Sequence, residues 1–177
     1  MPLNAGNAHT KGIEIETTIE PVENLEIDGS ASYMDFNYKY ISAQAGVPAT
    51  ATTAARGVQL GMITPYTPKW KLSGGIQYKV PVGDMGSVTP RFDISYQGKM
   101  YSNAVNGPLN LIPSYALANA RVTWRDDEQN WAVSFEVTNL FDKYYYLSSF
   151  DLSGLSGTAS AAPGRPREWA LTVKRSF

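Results

Sequence analysis

The sequence predicts an all-β fold: an antiparallel meander of about seven long strands that forms part of a transmembrane β-barrel. Apolar and polar residues alternate along almost the whole chain, as in strands with one apolar and one polar face. The alternating segments reach about ten residues, enough for a tilted strand to cross a bilayer, whereas strands of soluble domains average about five or six. Their connections are alternately short and long, which is typical of outer-membrane barrels.

Six alternating segments precede the last strand, and residues that favour turns or loops bound each of them. They are Gly12–Glu20, Leu25–Phe36, Lys69–Val80, Val88–Met100, Ser114–Arg125 and Trp131–Leu147. The short connections are Pro21–Asn24, Gly83–Gly86 and Asp126–Asn130, and stretches rich in Gly, Ser, Ala and Thr form the long ones. All short turns are therefore expected at one end of the sheet.

The last strand carries an apolar stripe to the end of the chain. Trp169, Leu171, Val173 and Phe177 share one face, on which Arg175 is the exception. Chain ends are usually poorly ordered, so a terminal Phe on an apolar face indicates a strand that is held along its whole length.

Composition excludes several function classes. A net charge of −1 gives no basic bias toward nucleic acid, and the absence of Cys excludes disulfides and thiolate metal sites. No apolar run reaches the ~20 residues of a membrane-spanning helix. The segment Met1–Gly12 lacks the basic and apolar regions of a secretory signal, so the chain taken literally is not exported by itself.

Large aromatic residues lie at strand ends on the apolar face. Those at the short-turn ends are Trp124, Trp131 and Phe177, and those at the long-loop ends are Trp70, Tyr145 and Trp169. Two aromatic belts that flank an aliphatic band are what the two headgroup regions of a bilayer favour. The polar face is expected to line a lumen through Glu14, Glu16, Lys69, Lys71, Arg91, Arg121 and Glu136.

Catalytic chemistry is not indicated. His9 is the single histidine, which argues against a metal site or a catalytic triad. The consecutive acids Asp126, Asp127 and Glu128 lack the alternating ligand spacing of a calcium loop. Paired carboxylates such as Glu14 and Glu16 are compatible with glycosidase chemistry, although a charged lumen wall explains them more simply.

Two parts of the sequence resemble TonB-dependent outer-membrane receptors. The run Asn139–Tyr145 and the terminal Gly164–Arg167 with Phe177 resemble their last two strands, and Lys11–Asp35 resembles a hairpin further upstream. The resemblance implies the C-terminal strands of a 22-stranded barrel, which in this family follows a plug domain. It also implies uptake of iron chelates, cobalamin or sugars with energy from TonB, without a cofactor and without enzymatic activity.

The same resemblance implies partners and a location. The chain is expected in the outer membrane of a Gram-negative bacterium, in contact with lipid, and the barrel-assembly machinery is expected to recognise Trp169, Leu171, Val173 and Phe177. Arg175 departs from that signal, because an aromatic residue is usual at its position. A nutrient would contact the extracellular loops, roughly Ile41–Tyr66, Tyr101–Pro113 and Ser148–Gly164, whose composition specifies no ligand.

Residues 1–177 then form one partial barrel domain, with the plug, the signal peptide and the TonB-contacting segment absent. Seven strands are an odd number and leave two unpaired edges, so we expect a fragment of a larger barrel. Two alternatives stay open: a small autonomous outer-membrane barrel of structural or adhesive role, and a soluble β-sandwich or lipocalin-like binding protein. A barrel enzyme would need a nucleophile and base that the sequence does not offer.

Overall fold

The structure, a computed structural model, describes residues 6–176. Seven strands form one antiparallel sheet in which each strand pairs with its neighbour in chain order, which confirms the predicted meander. They are β1 (Gly6–Val22), β2 (Leu25–Ile41), β3 (Trp70–Tyr78), β4 (Ser87–Gln97), β5 (Tyr115–Arg125), β6 (Trp131–Thr138) and β7 (Glu168–Arg175).

The pairing register brings the apolar positions of all seven strands onto one face. A row of register partners crosses the whole sheet: Ile19, Ile27, Ile76, Phe92, Ala120, Val137 and Trp169. The neighbouring row on the opposite face consists of Glu26, Gln77, Arg91, Arg121, Glu136 and Ala170. Because side chains alternate between faces, a shift of one residue in any pairing would mix the two rows. We call the two surfaces the apolar face and the polar face.

The short connections close one end of the sheet. Between β1 and β2, Asn24 has a φ of 68°, which Asn adopts more readily than most residues. The connection from β3 to β4 holds a short strand, Val80–Pro81, and a 3₁₀ helix, Gly83–Met85. In the turn before β6, the Asp126 carboxylate accepts a hydrogen bond of 2.7 Å from the backbone N–H of Trp131.

Each long connection carries a small hairpin of its own. The three hairpins pair Gly46–Val47 with Arg56–Gly57, Met100–Tyr101 with Leu111–Ile112, and Tyr146–Leu152 with Thr158–Pro163. The second connection also contains a 3₁₀ helix, Pro108–Asn110, and the third contains an α-helical turn, Ser153–Ser156.

The long connections also pack against one another at the opposite end of the sheet. The N–H of Ile63 donates to Oδ1 of Asn106 over 2.7 Å, and the hydroxyls of Ser102 and Ser149 lie 3.0 Å apart. Ile112 is fully buried here. The long-loop end is therefore a packed structure, whereas the sheet below it is a single layer in which apolar side chains such as Leu171 remain 69% exposed.

No helix within residues 6–176 is both long enough and apolar enough to cross a membrane.

Several strand boundaries differ from the prediction. The segment predicted to run to Leu147 ends as a strand at Thr138, because Asn139 and Asp142 adopt positive φ angles of 48° and 51°. In the other direction, β1 and β2 extend beyond the predicted segments, to Gly6 and Ile41.

Candidate functional site

The centre of the polar face holds an ion-pair cluster around Arg91. Its Nη2 lies 2.8 Å from Oδ2 of Asp28 and 2.7 Å from Oδ1 of Asp93, and its Nη1 lies 3.8 Å from Oε1 of Glu26. The Arg91 side chain is only 18% exposed. One guanidinium therefore serves three carboxylates, and the cluster (Glu26, Asp28, Arg91 and Asp93) keeps a net negative charge.

Gly75 makes this cluster possible. Gly75 is the register partner of both Asp28 and Asp93, so it lies under the two carboxylates. A Cβ at position 75 would clash with the Arg91 guanidinium and the Asp28 carboxylate, whereas one at Gly74 would find its nearest neighbours at 3.8 and 3.9 Å. Of these two adjacent glycines, it is therefore Gly75 whose lack of a side chain the polar face requires.

Most of the predicted lumen residues share this polar face. Glu14, Lys71, Arg121 and Glu136 occupy its register positions, and so does Glu16. Arg121 and Glu136 are direct partners across β5 and β6. Asp93 lies on this face too, as alternation predicts, but it is not among the predicted lumen residues, although the Arg-x-Asp spacing on one strand could have indicated it.

Lys69 was assigned to the wrong face. Its Nζ lies 3.7 Å from Oδ1 of Asp35 and 5.7 Å from the ring centroid of Tyr33, and both of those residues have the register of the apolar face. The prediction failed because β3 begins at Trp70, so strand alternation does not apply to the residue before it.

Tyr145 was also wrongly placed, in the aromatic belt. Its ring centroid lies 4.6 Å from that of Tyr115, which is the register partner of Gln97 on the polar face. Gly164 packs so closely against the Tyr145 ring that a Cβ at position 164 would clash with it. The Tyr145 ring borders a cavity of about 680 Å³ at the long-loop end, which Arg165 also lines. Alternation does not reach Tyr145, because residues 139–145 are not a strand.

Asn139 ties the end of β6 to the start of β7. The Asn139 side chain is buried; its Nδ2 donates to the carbonyls of Lys143 and Arg165 over 3.0 Å each, and its Oδ1 accepts from the N–H of Lys143 over 2.8 Å. Asp142 accepts a further hydrogen bond of 2.9 Å from the N–H of Arg167. The sequence features that resemble a known family most specifically are therefore the two halves of one hydrogen-bonded junction.

The remaining belt candidates lie at the predicted ends of the apolar face. Trp124 donates from Nε1 to the Met85 carbonyl in the neighbouring short turn, over 2.8 Å. Trp131 stacks with Arg175, whose guanidinium carbon lies 4.9 Å from the ring centroid. This stacking explains how the apolar face accommodates an arginine beside its short-turn end.

Trp70 and Trp169, the belt candidates at the long-loop end, lie at the same height only if the strands of the sheet are tilted. Through the register, Trp169 shares a row with Ile76, which is six positions along β3 from Trp70. Those six positions span about 20 Å along the strand, and the four steps from β3 to β7 span about 19 Å across it. The two indoles reach equal height at a strand tilt of about 45°, which is at the upper end of the range found in outer-membrane barrels.

The predicted assembly signal is partly visible. Trp169, Leu171 and Val173 share the apolar face of β7 and are 61%, 69% and 59% exposed, while Phe177 lies outside the described residues. Their recognition by an assembly machinery stays a prediction. His9 lies in β1 opposite Asn37, and no group of three or more metal-ligating side chains occurs within residues 6–176.

Comparison with known proteins gives one consistent family. The family described as "TonB dependent receptor-like, beta-barrel" matches residues 2–140. The ferric-pyoverdine M114 receptor PbuA of Pseudomonas sp. (strain M114) is 27% identical over 176 residues, which are 99% of this chain and 19% of that protein.

Solved structures share the fold. The ferric yersiniabactin uptake receptor FyuA from Yersinia pestis matches 98% of this chain with a TM-score of 0.76 at 18% identity, through 24% of its own length. BauA, the ferric preacinetobactin receptor from Acinetobacter baumannii, matches 99% with a TM-score of 0.68 at 22% identity, through 23% of its length.

The chain thus spans about a fifth to a quarter of the length of these relatives, which are receptors and not enzymes. A family match over residues 2–140 covers well over half of the chain and agrees with the seven-stranded, two-faced sheet. The chain belongs to the TonB-dependent receptor-like β-barrel family.

Proposed function

We propose that this chain forms part of the wall of an outer-membrane receptor for TonB-dependent uptake of a ferric siderophore in a Gram-negative bacterium. The observation that carries the proposal is the seven-stranded sheet with one continuous apolar face and one charged face. Such a sheet satisfies both lipid and an aqueous lumen. Ferric siderophores are favoured over cobalamin and sugars because PbuA, FyuA and BauA are named for ferric siderophores.

The edges of the sheet support a larger barrel. Each of β1 and β7 pairs with one neighbour within the described sheet. A strand edge cannot face hydrocarbon, because its backbone groups would lose their hydrogen bonds. Residues 1–177 accordingly supply seven strands to a barrel whose other strands and plug belong to the same receptor.

The polar face then forms the lumen wall. The Arg91 cluster, with Arg121 and Glu136, lies at its centre, and Tyr145 and Arg165 line a cavity at its long-loop end. An aromatic ring and a guanidinium beside a cavity suit a ligand with planar and anionic groups. The same receptor contacts the TonB complex during transport and the barrel-assembly machinery during insertion.

An uptake measurement tests the function. Cells that express the gene with or without an in-frame deletion of residues 1–177 are given radiolabelled iron as ferric pyoverdine, ferric yersiniabactin or ferric preacinetobactin, and labelled cobalamin and maltose in parallel. We expect uptake of one ferric siderophore that requires both this segment and TonB. Uptake of cobalamin or maltose instead, or uptake that persists without TonB, would refute it.

An immunoblot separates the alternatives. An antibody to residues 148–163 is expected to detect an outer-membrane band several times larger than this chain. A protease-resistant membrane band at the size of this chain would favour a small autonomous barrel. A signal confined to the soluble fraction would favour a soluble β-sandwich.

A further inference from the structure

The third long connection contains a strand with one open edge. Thr158–Pro163 pairs with Tyr146–Leu152 in a two-stranded sheet, and within residues 6–176 no other backbone pairs with it. All six of its residues are exposed. We call Thr158–Pro163 the edge strand and Tyr146–Leu152 its partner strand. Because alternate residues of an antiparallel strand point their N–H and C=O groups away from the partner, half of these groups in the edge strand face outward.

The composition of the edge strand does nothing to block this open edge. Its sequence, Thr-Ala-Ser-Ala-Ala-Pro, has no charged residue, and its proline stands at the very end. The bulge in this hairpin lies in the partner strand, between Tyr146 and Ser148. Strand edges that face water are usually blocked by charged residues, prolines or bulges, since an open edge pairs readily with another chain. An uncharged edge of small residues is therefore typical of an edge that is covered in the native protein.

The edge strand lies on the same side as the open edge of β7. It leads through residues 164–167 into β7, whereas the partner strand follows β6 through residues 139–145. The partner strand also contacts the second hairpin, where the hydroxyl of Ser149 lies 3.0 Å from that of Ser102. The order β5, β6, β7 therefore continues beyond the sheet as second hairpin, partner strand and edge strand, with the edge strand outermost.

We propose that an extended segment of the same receptor, continuous with the strand that pairs with β7, adds to the edge strand as a third strand of this small sheet. This assignment rests on the proposed function, in which β7 needs a further strand because its backbone groups cannot face hydrocarbon. The chain spans about a fifth to a quarter of its relatives, so such a receptor has further strands to supply. The seam at β7 then extends beyond the membrane into the loops.

The position of β7 favours the same receptor over a second copy as the source of this segment. A strand held beside β7 reaches the long-loop end next to Glu168, where β7 begins. The six residues of the edge strand span about 20 Å, so a continuation of about six residues would cover it. Tethering to β7 keeps that continuation at a high effective concentration, which a separate molecule does not have.

Amide hydrogen exchange of the intact receptor tests the pairing. The receptor is purified from outer membranes in detergent, exchanged at neutral pH, and analysed by mass spectrometry with fragmentation to single residues. With both edges paired, every N–H group of residues 158–162 should exchange at least about 100-fold more slowly than in the unfolded peptide. Slow and fast exchange in alternation along these residues would overturn the proposal, and so would fast exchange of all of them.

Photo-crosslinking identifies the segment that covers the edge. A benzophenone amino acid is placed at position 160 or 161, so that both faces of the edge strand are probed, and cells are irradiated. We expect a crosslink to a segment of the same receptor outside residues 1–177, with the band kept at the monomer mass. A crosslink to a second copy or to another protein would overturn the proposal.

A control position lies at the tip of the same hairpin. Leu155 belongs to the helical turn Ser153–Ser156 and is 89% exposed, but it is not part of the edge strand. The same photoreactive group at position 155 should not capture the segment that positions 160 and 161 capture. Equal capture from position 155 would show mere proximity of the loops and would overturn the strand pairing.

Failure of this proposal differs visibly from failure of the proposed function. If the receptor is absent from outer-membrane fractions or takes up no ferric siderophore, the proposed function fails whatever the exchange pattern is. If the receptor is present and takes up a ferric siderophore while residues 158–162 exchange in alternation, only the pairing of the edge strand fails.

Discussion

Replacing Gly75 of β3 with alanine should lower the free energy of unfolding, whereas replacing the adjacent Gly74 should raise it slightly. Neither Gly74 nor Gly75 has a φ in the left-handed region, so the backbone of both positions accepts alanine. At Gly75 the new methyl group would meet the Arg91 guanidinium and the Asp28 carboxylate, while at Gly74 it would make ordinary contacts at 3.8 and 3.9 Å. The neighbouring exchange is therefore an internal control for the general effect of replacing glycine.

The magnitude follows from the ion pairs that the methyl group displaces. Moving the guanidinium away from Asp28 and Asp93 forfeits the ion pair with Asp28 and the hydrogen bond to the Asp93 carboxylate, and a hydrogen bond between charged groups is worth about 1.5–3 kcal/mol. Partial exposure of the carboxylates and reorientation of the long Arg91 side chain recover some of this loss. We expect Gly75→Ala to lower the free energy of unfolding by about 1–3 kcal/mol, and Gly74→Ala to raise it by about 0.4–1 kcal/mol.

Urea unfolding of the intact receptor in detergent, followed by tryptophan fluorescence, measures both values. The cause is checked in an Arg91→Met background, where the guanidinium is gone and most of the cost of Gly75→Ala should disappear. A non-additive cycle of this kind isolates the clash with Arg91 from any other effect of the methyl group. Equal stabilities of Gly75→Ala and Gly74→Ala, or a cost of Gly75→Ala that is unchanged by Arg91→Met, would refute the argument.

Three further predictions concern the ends of the sheet. Asn139→Ala removes three hydrogen bonds and puts alanine at a φ of 48°, so it should lower the free energy of unfolding in urea by about 2–4 kcal/mol. Asn139→Gly removes the same hydrogen bonds without the backbone strain and should cost less. Equal costs of the two variants would contradict the contribution from strain. Trp131→Leu should lower stability in detergent by about 0.5–1 kcal/mol beyond the loss of packing, and a double-mutant cycle with Arg175→Gln checks this by showing coupling of that size. Hydrogen bonds from the hydroxyl and the N–H of Ser153 lower the pKa of Asp151, which lies in the hairpin of Tyr146–Leu152 and Thr158–Pro163. The order of this hairpin should therefore be full above the ordinary carboxylate pKa and be lost as the pH falls through the depressed value. Amide hydrogen exchange of residues 152–158 measures this order, and Asp151→Asn should abolish its pH dependence.

Within the strands, the sequence alone determines which face each side chain occupies. Alternation is a local property of extended backbone, so Arg91, Arg121 and Glu136 could be assigned to one face without knowledge of the sheet. Lys69 and Tyr145 lie just outside strands, where the same rule gives no information, and both were misplaced. The limits of the prediction are therefore the limits of the strands.

The long-loop end could not be derived in this way. Its contacts join residues far apart in sequence, such as Ser102 with Ser149 and Ile63 with Asn106. No periodicity links these residues, and their pairing depends on the sheet bringing three connections to one end. The hydrogen bonds of Asn139 to Lys143 and Arg165 belong to the same class, which is why the sequence showed the motif but not its role.

A single layer with two such different faces favours a particular environment. On the apolar face, side chains such as Ile15 and Leu171 are 59% and 69% exposed, and the apolar row continues without interruption across seven strands. A patch of that extent is far larger than monomeric soluble proteins leave in water. The other face holds a cluster with one guanidinium for three carboxylates, which a purely apolar environment would destabilise. An apolar environment suits only the first face, and water suits only the second. The arrangement therefore agrees with a sheet that separates lipid from water, and it does not agree with a soluble sandwich.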